Sequence, residues 1–389
     1  MGFTSDSGRA DALENAILNN DYFQSLLNDL NVHVARVRVG DSTRTFTAFV
    51  SMKVALATNR NRQSGANNKE SGISDLFGEE LSQNIHYGLA EAQILDLSPG
   101  QDKATLKKRV WRAFTLGWAD LRERRDRVVI SRIDLMTRSE FAQLVSAFSG
   151  KGVVLSIHGY ANSFDKAIRS SALGMHKAKV DRLELLPVLF SWPSRGKASA
   201  YLRDTAVAEN SERALQEVVE LVCRAATNRE VDILSHSHGN KILVRSLVET
   251  SHKTVRNSPP LKRLILVEPD VDQEFFRQRA DVLMKTSEQV IIYHSKNDRA
   301  LSLASFLFES ARLGKEGVPI ETLERNSWDR IQVIDASLVA RGLSKHAPHL
   351  ESPEVISDIY HLLRGMKPRE RFHLRHLNTG NWQMMPADA

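Results

Sequence analysis

The chain has 389 residues, enough for one large α/β domain with additions or for two ordinary domains. Hydrophobic content of 42% and charged content of 26% describe a soluble globular protein, and no apolar run approaches the ~20 residues that a membrane helix needs. A single cysteine, Cys223, lies in an apolar stripe and excludes an intrachain disulfide; with no basic-then-apolar leader at the N-terminus, the expected compartment is the cytoplasm.

Residues 11–30 carry apolar side chains at helical spacing. Ala35, Val37 and Val39 then alternate with Arg36 and Arg38, which predicts a half-buried strand ended by Gly40-Asp41. An apolar stretch at 45–57 leads to Ala57-Thr58-Asn59-Arg60, and the Asn-, Ser- and Gly-rich residues 61–78 read as an exposed loop. Residues 85–97 predict a strand pair about Tyr87-Gly88, and 103–126 a basic helix with Trp111, Phe114 and Trp118 near one face.

The net charge of +6 is concentrated: residues 101–132 hold ten Lys/Arg against four Asp/Glu, and 364–376 are basic as well. Both runs read as solvated helix faces, and no recognised nucleic-acid module accompanies them, so nucleic acid is disfavoured as a partner.

From Val128 onward strands and helices alternate. Apolar strands fall at 153–157, 185–190, 231–234, 263–267, 289–293 and 330–334, with helical patterns such as 205–226 and 301–312 between them. Alternation of this kind implies βαβ units and a mostly parallel sheet whose ligands bind beyond the C-terminal strand ends.

Those ends carry chemistry. Strand 231–234 runs into Ser235-His236-Ser237-His238-Gly239 and then an amphipathic helix, a strand–turn–helix elbow with Ser237 at its apex and Ser235 where glycine is usual. Strand 153–157 ends in His158-Gly159-Tyr160, whose Tyr160 amide could join that of His238 in an oxyanion hole. Strand 185–190 ends near Arg195, strand 263–267 in Glu268-Pro269-Asp270-Val271-Asp272, and strand 289–293 in a turn reaching Asp298; His346 and His349 follow the last strand. The order Ser, Asp, His is that of an α/β-hydrolase triad.

Residues from about 150 to 364 resemble a family of bacterial α/β hydrolases of poorly defined function, labelled esterase- or lipase-like. The matching pieces are His158-Gly159-Tyr160, Ser191-Trp192-Pro193-Ser194-Arg195-Gly196, Ser235 to Asn240, Pro269 to Asp272, Ser295 to Leu301, and His346 with Ser352-Pro353-Glu354-Val355. Residues 57–60, 77–78 and 85–88 resemble the same family's upstream part. The fold implied is an α/β hydrolase: a mostly parallel, doubly wound sheet flanked by helices, with an N-terminal extension. Residues 1–48 are then that helix/strand extension, 49–365 the hydrolase domain with its core at 150–365, and 366–389 a basic tail.

The roles follow. Ser237 is the nucleophile, His346 the base with His349 as its rival, and Asp298 the acid with Asp270 and Asp272 as rivals. His236 and His238 should diverge from the serine and brace the turn, and a zinc reading of the pair lacks a third ligand. His158 and Arg195 are candidate substrate-side groups, although Arg195 could equally pair with Asp204 or Asp270. No cofactor or metal is required. The expected substrate is a small-molecule or lipid ester, without stable membrane insertion. The rival reading is a silent binding or scaffold subunit of a larger complex, and a protein partner is left open.

Overall fold

Near-continuous apolar segments alternating with amphipathic ones are stable as a sheet covered by helices on both faces. The computed structural model of the chain describes residues 32–39, 43–63, 76–97, 128–180, 183–197, 200–253, 261–326, 328–341, 346–378 and 380–387. An antiparallel ribbon comes first: β1 (Val32–Val39), β2 (Thr43–Arg62), β3 (Phe77–Leu97) and β4 (Val128–Met136). Alternation follows with α1 (Arg138–Ala147), β5 (Gly152–Ile157), α2 (Phe164–Val180), β6 (Leu185–Ser191), α3 (Tyr201–Glu209), α4 (Glu212–Ala225), β7 (Glu230–His236) and α5 (His238–Lys253). Next come β8 (Leu261–Val267), α6 (Gln273–Arg277), α7 (Ala280–Thr286), β9 (Ser287–His294), α8 (Arg299–Phe308), α9 (Leu313–Glu316) and α10 (Ile320–Arg325). The chain closes with β10 (Ile331–Asp335), α11 (Pro348–Glu351), α12 (Pro353–Leu363), β11 (Leu374–Asn378) and β12 (Asn381–Met384).

One 12-stranded sheet results, in the order β11-β12-β10-β9-β8-β7-β5-β6-β2-β3-β4, with β1 on β2. From β12 across to β2 every neighbouring pair is parallel. Alternate residues feed two cores. Val153, Leu155 and Ile157 of β5 face one core with α4 and α5, whereas Val154 faces the other with α2 and α12. The chain leaves β5 for β6 on one side and returns to β7 on the other. The connections leaving β5 and β7 therefore run to opposite sides, and their junction is the switch point at which open α/β sheets bind ligands.

Several expectations need correction. Residues 85–97 are not a strand pair but the far end of the 21-residue β3, which stays paired with β2 through Tyr87 and Gly88. The single helix expected at 205–226 is two, broken at Asn210-Ser211, and the helix expected at 301–312 ends at Phe308. Residues 366–389 are not a tail: β12 adds in parallel to β10, β11 pairs with β12, and Met384 is fully buried. A boundary at 48/49 falls inside β2, which crosses it without a break. The helices expected at 11–30 and 103–126 lie outside the described residues.

Candidate active site

Ser237 sits between β7 and α5 with φ +52°, a left-handed conformation that costs a non-glycine residue about 1–3 kcal/mol. The turn is held by its backbone. Ser237 N–H donates to Val267 O at 3.1 Å, and Ser237 O accepts from Asn240 N at 3.0 Å and Asp270 N at 3.3 Å. Close approach explains the glycines on either side. A Cβ on Gly239 would stand 2.8 Å from His158 O, and one on Gly159 would stand 2.6 Å from His236 Nδ1 and 2.9 Å from Ser237 Cβ. The β5 loop is thus pressed directly onto the serine turn. His238 opens α5, so its amide is among those with no acceptor inside the helix, and the positive end of the helix dipole lies behind Ser237.

The structure brings Ser237, His346 and Asp298 together. His346 Nε2 is 2.8 Å from Ser237 Oγ, and His346 Nδ1 is 2.6 Å from Asp298 Oδ2. With Nδ1 protonated, the ring donates to Asp298 and accepts from the serine hydroxyl. Asp298 is the N-cap of α8, its Oδ1 accepting from Leu301 N at 2.9 Å, so helix formation and carboxylate placement are one event. Burial pulls the His346 imidazole down, but the Asp298 charge and hydrogen bond, with a contribution from Glu268, overcome it and raise it to about 10.

The competing residues have other partners. Asp270 Oδ2 accepts from Tyr201 O–H at 2.7 Å and lies 2.8 Å from His238 Nδ1, with Arg312 Nε 3.5 Å from Oδ1. Although burial raises it, its neighbours His238, Lys241 and Arg312 together leave the Asp270 carboxyl far below the usual range. Asp272 caps α6 by accepting from Phe275 N at 2.8 Å. His349 packs against His236 with ring centres 4.4 Å apart and planes tilted by 42°, while His346 holds the position beside the serine. His236 Nε2–H donates to His346 O at 2.7 Å and so braces the loop that carries the proposed base. His236 and His238 thus turn to partners other than the serine hydroxyl.

Both candidate substrate-side groups are engaged by partners within the protein. His158 lies against Trp192 with rings 10° from parallel, Nδ1 2.8 Å from Gly159 O and Nε2 3.3 Å from Ser191 Oγ. Burial, with Arg60 nearby, pushes its imidazole down to about 3, so it stays neutral. The Arg195 guanidinium pairs with Glu79 and Glu80 at 3.5 and 3.3 Å, and only its backbone N–H reaches Asp204. The Tyr160 ring packs 5.4 Å from that of His238 and 6.2 Å from that of His346, placing this residue over the site.

Ligand atoms of His236, Glu268 and His346 lie within 4.8 Å of one another, a spacing that a metal could bridge. Both His346 nitrogens and His236 Nε2 are already committed to the hydrogen bonds above, so the donor set does not fit a metal centre. The zinc reading of His236 with His238 fails for the same reason, since His238 turns to Asp270. Glu268, buried against this cluster, is the residue that sequence reasoning passed over. Its only signal is that it opens a run of three acids at the end of β8.

Among solved structures, "Phospholipase PlaB from Legionella pneumophila" aligns at 13% identity and TM-score 0.24, covering 48% of this chain and 38% of that one. An arylesterase structure aligns at 11% identity and TM-score 0.29, covering 92% of this chain and 95% of that one. No curated protein matches. Residues 134–364, from the end of β4 to just past α12, match a family model; because the match spans more than half of the chain, the chain belongs to the family described as alpha/beta hydrolase of unknown function (DUF900).

Proposed function

We propose that the chain is a serine hydrolase that cleaves a carboxylic ester through an acyl-enzyme on Ser237. The observation that carries this reading is the unbroken relay from Ser237 Oγ through His346 to Asp298, with hydrogen bonds of 2.8 and 2.6 Å. His346 takes the serine proton as Oγ attacks the ester carbonyl, and Asp298 stabilises the imidazolium and keeps its tautomer. The oxyanion that develops is received by the amides of Tyr160 and His238. Collapse expels the alkoxide, which His346 protonates; water activated by the same imidazole then releases the acid and restores Ser237. An ester fits better than an amide because an alkoxide leaves with less assistance than an amine. No helix of the described residues is long and apolar enough to cross a membrane, so the substrate would be met in water or at a lipid surface.

A fluorophosphonate probe tests the reading. Wild type should be labelled covalently and Ser237→Ala should not. A folded wild-type protein that resists labelling would favour a silent binding subunit instead.

A further inference from the structure

The end of β8 carries an acid that the reaction above does not use. Glu268 is fully buried, in a left-handed conformation at φ +41°, and its amide N–H is fixed to Tyr293 O at 2.8 Å. Its Oε2 lies 3.4 Å from His346 Nδ1, the same nitrogen that Asp298 Oδ2 approaches to 2.6 Å, so the two carboxyl groups share one neighbour. The Nδ1 proton goes to Asp298, the nearer acceptor at 2.6 Å. Among the described residues neither Glu268 oxygen then has a donor.

Two fully buried carboxyl groups crowded on one nitrogen do not readily both hold a negative charge, so one carries a proton. Asp298 has two donors to stabilise its charge, Leu301 N–H and His346 Nδ1–H. Glu268 has none, so the proton belongs on Glu268.

We propose that Glu268 is a positioning acid for this site: protonated, it donates its O–H to Asp298 and holds that carboxylate against His346 Nδ1. The inference rests on the reading of Ser237 and His346 as the reacting pair. Burial first, with Asp298 adding to it against the opposing pull of His346, raises Glu268 to about 8, the direction this role requires. The titratable groups around it are His236 at the end of β7, His346 before α11 and Asp298 at the head of α8. When Glu268 ionises, two adjacent carboxylates repel and Asp298 loses its donor, so turnover declines on the alkaline side.

Glu268→Gln keeps an N–H donor of the same shape, whereas Glu268→Leu fills the space without one. With a p-nitrophenyl ester, Glu268→Gln should retain kcat within about threefold and lose the alkaline decline, and Glu268→Leu should lose about tenfold to hundredfold in kcat with KM little changed. The low-field proton resonance of His346 Nδ1–H should persist in Glu268→Gln and shift or broaden in Glu268→Leu. The proposal is overturned if folded Glu268→Leu keeps the wild-type kcat and resonance, or if Glu268→Gln keeps the wild-type alkaline decline. Should Glu268→Leu fail to fold, the pH profile of Glu268→Gln decides alone. Should wild type resist the fluorophosphonate, the hydrolase reading falls while the resonance still decides the role of Glu268.

Discussion

The two hydrogen bonds of His346 make opposite demands on its proton, and they set the sharpest expectations at the residue scale. As a base the imidazole must be neutral, so kcat/KM rises as pH climbs through its folded value. Burial works against the charged ring, but the charge and hydrogen bond of Asp298 outweigh it and raise His346 above an ordinary histidine. The ascending limb should therefore lie above pH 6.5, the usual histidine value. Asp298→Asn removes the chief source of that elevation, so its limb should move to lower pH while the plateau falls about 10⁴-fold, because the amide no longer selects the tautomer. A pH series of kcat/KM on both proteins checks both parts. Asp272→Asn serves as the comparison: asparagine keeps the oxygen that caps α6, so stability and activity should both change little.

At the scale of elements, β2, the β5 loop and the β6 loop meet on one buried cation. Arg60 sends Nη2 to Asn162 O at 2.9 Å, Nη1 to Gly78 O and Ser194 O at 3.1 and 3.2 Å, and Nε to Ser191 Oγ at 3.1 Å. Its direct acceptors are carbonyls and a hydroxyl rather than a carboxylate, and burial lowers it to about 9 despite nearby acids. Asn162 belongs to the loop that presents the Tyr160 amide, so Arg60 ties the N-terminal ribbon to the proposed oxyanion hole. Arg60→Met strands four buried acceptors and should cost about 3 kcal/mol in urea unfolding, with a fall in kcat larger than any change in KM. Arg60→Lys keeps the charge but not the planar fork and should recover only part of either loss. Wild-type stability and turnover in Arg60→Met would refute the link. This junction also marks how far local reading of the chain extends. The parallel strands were legible because Val, Ile and Leu fill both faces, and Ser237, Asp298 and His346 because each ends or follows such a strand. β3 was not, because its first residues, Glu79, Glu80, Ser82, Gln83 and Asn84, look like loop although they continue the ladder toward Arg60 and Arg62. Glu268 was hidden because an acid before proline reads as a turn residue, and only the fold places it beside His346.

The whole molecule raises the question of where the domain ends, and the basic C-terminal residues decide it. Charge made 366–389 look detachable, since five of the residues from Arg364 to Arg375 are Lys or Arg. Yet Arg371 is buried and paired with Asp358 at 3.2 Å, and Tyr293 O–H donates to the same carboxylate at 2.6 Å. Burial raises Asp358 to about 6 even with that arginine opposing it. Trp382 and Met384 complete the core between the sheet and α12, while β12 covers the edge of β10. Deleting residues 366–389 would expose that edge, vacate two large apolar side chains worth about 1.5–3 kcal/mol each, and leave Asp358 without its cation, a further 3–5 kcal/mol. The sum, about 6–11 kcal/mol, matches the entire stability of an ordinary domain. The truncated chain should therefore fail to fold or aggregate through the bared β10 edge. Arg371→Met alone should keep the fold at a cost of about 3–5 kcal/mol, offset in part as Asp358 takes up a proton below neutral pH. Thermal melts of the two variants beside wild type check the comparison. A truncated protein that melts with the wild type would mean that β11 and β12 are an appendage after all, and that the sheet ends at β10.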